Sequence, residues 1–139
     1  MTLLVDTSVW SLLLRRDTTR AEPEVQHLAD ALSGVDVVVT TGLVLQELLQ
    51  GFSGPKSREQ LLVRFATLPL LQPDREDYIA AAEIRNTCRR AGVQIGTVDA
   101  LLAQLCIRND LTLLSTDNDF KLAAAHCPIR IWPLKFGIH

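Results

Sequence analysis

The sequence is poor in residues that would staple it covalently or hold a soft metal. It has three cysteines and three histidines among 139 residues. Cys88, Cys106 and Cys127 lie far apart, no C-x-x-C pair occurs, and His126 merely adjoins Cys127. A zinc site and a disulfide framework are therefore not expected; the thiols read as free, buried groups in a reducing compartment. Excess charge is also lacking: 14 Lys and Arg against 16 Asp and Glu give a net −2. The whole-molecule field gives no sign of nucleic-acid binding, so any such binding must rest on local basic groups or bound cations. No segment approaches the ~18 uninterrupted apolar residues that a membrane span needs. The stretch from Met1 to Leu14 is apolar but lacks a basic head and is interrupted by Asp6, so no secretory leader is expected and the protein reads as cytoplasmic. Repeats, linkers and low-complexity stretches are absent too. What is present is ordinary for a soluble globular chain, 47% hydrophobic and 22% charged. The length fits one domain, residues 1–139, able to bury a core without cross-links.

Apolar runs alternate with helical patterns along the chain. Leu3-Leu4-Val5, Val37-Val38-Val39 and Leu111 to Ser115 read as buried strands. Leu68 to Leu71 is a weaker strand, because Pro69 cannot donate to a ladder; an edge position or a strand start suits it. Ile129 to Trp132 is a candidate last strand. Helices are expected from Val9 to Arg16, Pro23 to Leu32, Gly42 to Phe52, Ser57 to Ala66, Asp74 to Ala91, Thr97 to Asn109 and Phe120 to Ala125, with a polar loop from Asp17 to Glu22. Thr40 or Thr41 caps the third of these and Thr97 the sixth. The alternation predicts an α/β fold: a three-layer α/β/α sandwich around a parallel sheet of four to five strands.

Parallel sheets bind ligands outside the carboxyl ends of their strands. Asp6 and Asp117 directly follow the first and the Leu111 strands, which puts both on one rim. The helix from Thr97 feeds a parallel strand and must run back down the sheet, so Asp99, in its first turn, lies near the same rim. Glu47 borders the apolar face of the helix after the Val37 strand. Each acid has a plainer reading when taken singly. Asp6, Asp117 and Asp119 suit helix caps, Asp99 favours a helix dipole, and Glu47 suits a solvated helix face. Together they repel, at about 4 kcal/mol per close pair for an effective dielectric of 20. Apart from Lys121, no basic residue stands in the surrounding motifs. A bound cation is the natural counter-charge, and carboxylate oxygens without His or thiolate suit Mg²⁺ or Mn²⁺.

Four motifs occur in order: Leu4-Val5-Asp6-Thr7-Ser8, Gln46-Glu47-Leu48, Thr97-Val98-Asp99-Ala100-Leu101, and Leu114-Ser115-Thr116-Asp117-Asn118-Asp119-Phe120. Together they resemble the acidic motifs of PIN-domain nucleases, and the chain as a whole resembles the VapC-type toxins of bacterial toxin–antitoxin modules. The resemblance implies a metal-dependent endoribonuclease acting on structured RNA such as transfer or ribosomal RNA. It implies a homodimer and a small VapB-like antitoxin. Asp6 and Asp99 would be the principal metal ligands, Glu47 and Asp117 would complete the quartet, and Asp119 matches a further, more variable acid. Thr7 or Ser8 would supply a hydroxyl beside the first ligand.

RNA backbone contacts need cations. The loop with Lys56 and Arg58 is one candidate; Arg15 and Arg16 are another. Arg85, Arg89 and Arg90 share a helix and are expected on its wet face. Trp10, Leu13 and Leu14 offer an apolar groove to an antitoxin segment, with burial in the core as the competing expectation. A receiver-like phosphoacceptor domain is the alternative from another class. It wants an adjacent acidic pair after the first strand, whereas here a single Asp is followed by Thr-Ser. A degenerate, non-catalytic PIN module is disfavoured by the presence of all four acids. A DNA-directed nuclease is disfavoured by the short chain.

Overall fold

The apolar runs lie side by side in the sheet. The computed structural model describes residues 1–15 and 22–134. Its elements are β1 (Thr2–Val5), α1 (Thr7–Leu14), α2 (Pro23–Ser33), β2 (Val37–Thr41), α3 (Gly42–Gly51), α4 (Pro55–Phe65), β3 (Leu70–Leu71), α5 (Arg75–Arg90), α6 (Thr97–Arg108), β4 (Thr112–Leu114), α7 (Asn118–Ala123) and β5 (Arg130–Ile131). The five strands run in the order β3-β2-β1-β4-β5, every pairing parallel. Leu3, Leu4, Val5, Leu113 and Leu114 are fully buried. Continuous apolar strands of this kind need cover on both faces.

Connections supply that cover. The chain steps outward from β1 to β2 and β3, then crosses back to β4 and β5. Right-handed crossovers therefore send the helices of the first half to one face and those of the second half to the other. Packing agrees: α1 meets α2 and α3, α3 meets α4, and α5 pairs extensively with α6. Trp10 of α1 is wholly buried, its ring 4.8 Å from that of Phe65 in α4. Burying a side chain of that size contributes about 1.5–3 kcal/mol. The direction of winding reverses between β1 and β4, which opens a crevice at their carboxyl ends.

Helix starts follow from local chemistry, with some departures from expectation. Asp6, Thr41 and Asp74 cap α1, α3 and α5 through their side chains. Thr97 does not cap α6: Gly96 holds that position and Thr97 is the first helical residue. Asp119 does not cap α7 either. The helix begins at Asn118, before the expected Phe120, and Asp117 is its cap. Pro55 opens α4, since its fixed φ suits a first helical position. Lys56 and Arg58 are consequently helical rather than in a loop. β3 is confined to the sheet edge, where the Pro69 carbonyl accepts from Thr40 N–H at 3.0 Å. Cys88, Cys106 and Cys127 are free thiols, the first two buried and the third half-buried. Arg16 and most of the expected Asp17–Glu22 loop lie outside the described residues. Among the described residues, no helix is long and apolar enough to cross a membrane.

Candidate active site

The β1–β4 ladder sets the geometry of the crevice. Val5 pairs with Leu114, and one step on, Asp6 N–H donates to the Leu114 carbonyl at 2.9 Å. Ser115 thus stands beside Asp6, and its hydroxyl donates to Asp6 Oδ2 at 2.8 Å. Ser8 Oγ donates to the same oxygen at 3.0 Å, and Thr7 N–H donates to Oδ1 at 2.8 Å. Burial pushes the Asp6 carboxyl up. The three donors oppose that, Glu47 adds repulsion, and the net result lies above the ordinary carboxylate value.

Short polar links gather the other acids. Thr7 Oγ1 donates to Glu47 Oε1 at 2.7 Å, tying α1 to α3 across the rim. Ser115 Oγ also accepts from Asp117 N–H at 3.0 Å, and Asp119 N–H donates to Asp117 Oδ1 at 2.9 Å. Asp99 stands half-buried in the first turn of α6. Burial first, then the charges of Asp6, Asp117, Glu47 and Asp119, push its carboxyl up to about 6. All five expected acids therefore share one field. A side chain at Gly96 would put its Cβ 3.8 Å from Asp99 Oδ2; glycine leaves that oxygen uncovered.

Among the described residues, no side-chain cation pairs with this cluster. The ion pairs among the described residues are Met1–Asp36, Arg108–Asp77 and Arg130–Asp110. Lys56 and Arg58 are exposed on α4 and pair with none of the acids. An all-oxygen donor set in an uncompensated field suits a hard divalent ion. Among the described residues, however, no three His, Cys, Asp or Glu side chains stand close enough to form a ready-made cage. An ion here would be shared between carboxylates and water, the usual condition of protein-bound Mg²⁺.

Thr7 and Ser8, expected beside the first ligand, each give their hydroxyl to a carboxylate. Two further residues matter, one given no role by the sequence and one placed by it on the wrong face. Ser115 is legible in retrospect, because it follows β4 as Asp6 follows β1. Arg85 is not on the wet face of α5. It is half-buried, and its Nε donates to the Ile95 carbonyl at 3.0 Å, whereas Arg89 and Arg90 are exposed. On the other side of the molecule, Trp10 belongs to the core. Leu13 and Leu14 instead line a groove of about 780 Å³ between α1 and α4, with Glu59, Gln60, Val63 and Arg64.

Comparison with known proteins identifies the family and the fold. The PIN domain family model matches residues 3–125. Ribonuclease VapC11 of Mycobacterium tuberculosis is 30% identical over 124 residues, which is 88% of this chain and 91% of the relative. Two solved structures share the fold. VapBC-1 from nontypeable Haemophilus influenzae superposes with a TM-score of 0.73 at 17% identity, covering 94% of this chain and 96% of that one. Mycobacterium tuberculosis VapC20, described as a sarcin-ricin loop cleaving toxin, superposes with a TM-score of 0.66 at 22% identity, covering 92% and 98%. With four acidic motifs on one rim of a parallel sheet and a family match across most of its length, the chain belongs to the PIN-domain family, among the VapC ribonucleases.

Proposed function

We propose that this chain is a single-unit, Mg²⁺-dependent endoribonuclease, the cytoplasmic toxin of a toxin–antitoxin module, cleaving structured RNA of the transfer or ribosomal kind. The observation that carries the reading is the shared field of Asp6, Glu47, Asp99, Asp117 and Asp119, unanswered by any side-chain cation among the described residues. Asp6 and Asp99 are the principal ligands of Mg²⁺ or Mn²⁺; Glu47 and Asp117 complete the quartet. A divalent ion held there supplies positive charge against a phosphate and a water of lowered pKa.

The chain's own groups do the rest. Ser8, Ser115 and Thr7 N–H fix both oxygens of Asp6. Thr7 fixes Glu47 through Oε1 and Asp119 N–H holds Asp117 through Oδ1. Glu47 Oε2 and Asp117 Oδ2 accept no bond within the described residues, so either orients the attacking water or takes its proton. Asp119 adds negative charge at the edge. Substrate contact is assigned to Thr7 and Ser8 beside the acids, and to Lys56 and Arg58 for the RNA backbone.

Cleavage of total RNA with Mg²⁺, set against Asp6→Asn and against chelator, tests the reading. Sites cut by wild type and lost in both controls are expected. Equal cleavage by Asp6→Asn at saturating Mg²⁺ discards it. In the same assay, charge reversal at Lys56 and Arg58 should weaken RNA binding and flatten its salt dependence; an unchanged slope removes those two residues.

A homodimer with a VapB-like antitoxin is part of the same proposal. Leu13 and Leu14, in the α1–α4 groove, give the antitoxin an apolar surface. Leu14→Asp should abolish its capture while sparing RNA cleavage. Undiminished capture moves the partner elsewhere.

A further inference from the structure

Of the two helices that present the proposed principal ligands at the rim, α1 at Asp6 and α6 at Asp99, only α1 has its start pinned by a side chain. Asp6 caps α1 with its carboxylate, whereas Gly96 caps α6 with no side chain at all. The acid carried in that first turn, Asp99, stands in the like-signed field of four others. Repulsion among close carboxylates pushes the start of α6 away from β1. Something other than its own cap must hold it.

Arg85 is placed to do so. It projects from α5, the helix packed against α6, and its Nε–H donates to the Ile95 carbonyl at 3.0 Å. Ile95 is buried and immediately precedes the Gly96 cap. Arg85 also lines, with Thr97 and Val98, the wall of a cleft of about 420 Å³ beside the first turn of α6. It belongs to none of the ion pairs among the described residues. Its described polar contact is thus with a neutral carbonyl at the point where the chain turns into the Asp99 helix.

We propose that Arg85 is a positioning residue for Asp99: by holding the Ile95 carbonyl it fixes the start of α6, and so keeps the Asp99 carboxylate in register with Asp6 for a divalent cation. The proposal rests on the metal-dependent reading above. It concerns a residue that touches neither metal nor substrate, and outer partners of this kind typically change metal affinity by about 10–100-fold.

Charge and geometry here predict opposite signs, which makes the test decisive. As a charge, Arg85 lowers cation affinity at an acidic site, and removing it should strengthen binding. As a tether, removing it should weaken binding. Calorimetric titration of the full-length protein with Mn²⁺ alone, in the absence of RNA, reads the difference. Arg85→Ala is expected to bind Mn²⁺ about tenfold more weakly. It should need correspondingly more metal for half-maximal RNA cleavage, with KM for RNA at saturating metal little changed. Arg85→Gln keeps an amide donor able to reach the carbonyl and should recover most of the affinity. Arg89→Ala, on the exposed face of the same helix, should match wild type.

Tighter or unchanged Mn²⁺ binding by Arg85→Ala overturns the proposal, because the cation then acts by charge or not at all. Equal weakening in Arg85→Ala and Arg85→Gln also overturns it, because the carbonyl bond is then not the cause. Equal weakening in Arg89→Ala does the same. Asp6→Asn serves as the separate check on the metal reading: if it binds Mn²⁺ like wild type, that reading fails irrespective of Arg85.

Discussion

Asp99→Asn should lose RNA cleavage by about a hundredfold or more while making the metal-free protein harder to unfold at pH 7. The two effects have one cause. Burial and the neighbouring carboxylates push the folded-state carboxyl up to about 6, from an ordinary value of 3.8. A raised acid binds its proton more tightly in the native than in the unfolded chain, so its ionisation works against folding. Native stability tied to Asp99 is therefore complete below about pH 4 and is lost as pH rises through 6. The full shift corresponds to about 3 kcal/mol. Partial exposure of the carboxylate screens this, and we expect a gain of about 1–2 kcal/mol from the asparagine, or roughly 3–8 °C in melting temperature. Melting curves in chelator at pH 5 and pH 7.5 should show a wild-type deficit at the higher pH that Asp99→Asn abolishes. Adding Mg²⁺ should then raise wild type and leave the variant nearly unmoved, since only binding to the native state stabilises it. Parallel pH profiles for the two proteins would refute this account of the site.

Asp77→Ala, away from the rim, should be strongly destabilising. Asp77 is completely buried at the start of α5. Its Oδ1 accepts from Arg108 Nε at 2.7 Å and from Gln104 Nε2 at 3.3 Å, both on α6, while Oδ2 accepts from Asp74 N–H at 2.9 Å. Burial opposes its charge, but Arg108, the Asp74 amide and Gln104 outweigh it and hold the carboxyl below the usual value. Three bonds to one charged acceptor vanish in the alanine variant. Arg108 is exposed enough to turn to water, so the expected loss is about 2–4 kcal/mol. Urea denaturation at pH 7 measures it; a loss below ~1 kcal/mol would show that the α5–α6 packing does not depend on this network. The sign of the pH effect is opposite to that of Asp99. A depressed acid contributes above its unfolded value and fails as pH falls toward the folded one, so Asp77 should confer acid sensitivity below about pH 4. Asp77→Asn should blunt that sensitivity.

The sequence made the strands legible where both faces are buried. Leu3 to Val5 and Leu111 to Ser115 announce themselves as apolar runs, and the rim position of Asp6 and Asp117 follows from their ends. The acids at Glu47 and Asp99 needed the helix directions as well, which the alternating pattern supplied. What escaped was information held in the third dimension. Ser115 looks like any strand-end serine until register places it opposite Asp6. Arg85 looks like its neighbours Arg89 and Arg90 until the Ile95 carbonyl, just ahead of α6, is found within its reach. Cap positions slipped for a simpler reason. Gly96 offers no side-chain acceptor to recognise, and Asp117 and Asp119 are both good caps, so sequence alone does not say which one begins α7.

The bond between Ser115 and Asp6 joins residues 109 positions apart. A chain leaves the ribosome N-terminal end first, and a domain folds as a unit once its parts are present. β1 emerges first, yet its flank stays open until β4 has been made, and Ser115, Asp117 and Asp119 arrive later still. A nascent chain therefore carries Asp6, Glu47 and even Asp99 in the open without the strand that completes their crevice. The acidic rim is therefore assembled only after β4 and the start of α7 have been synthesised.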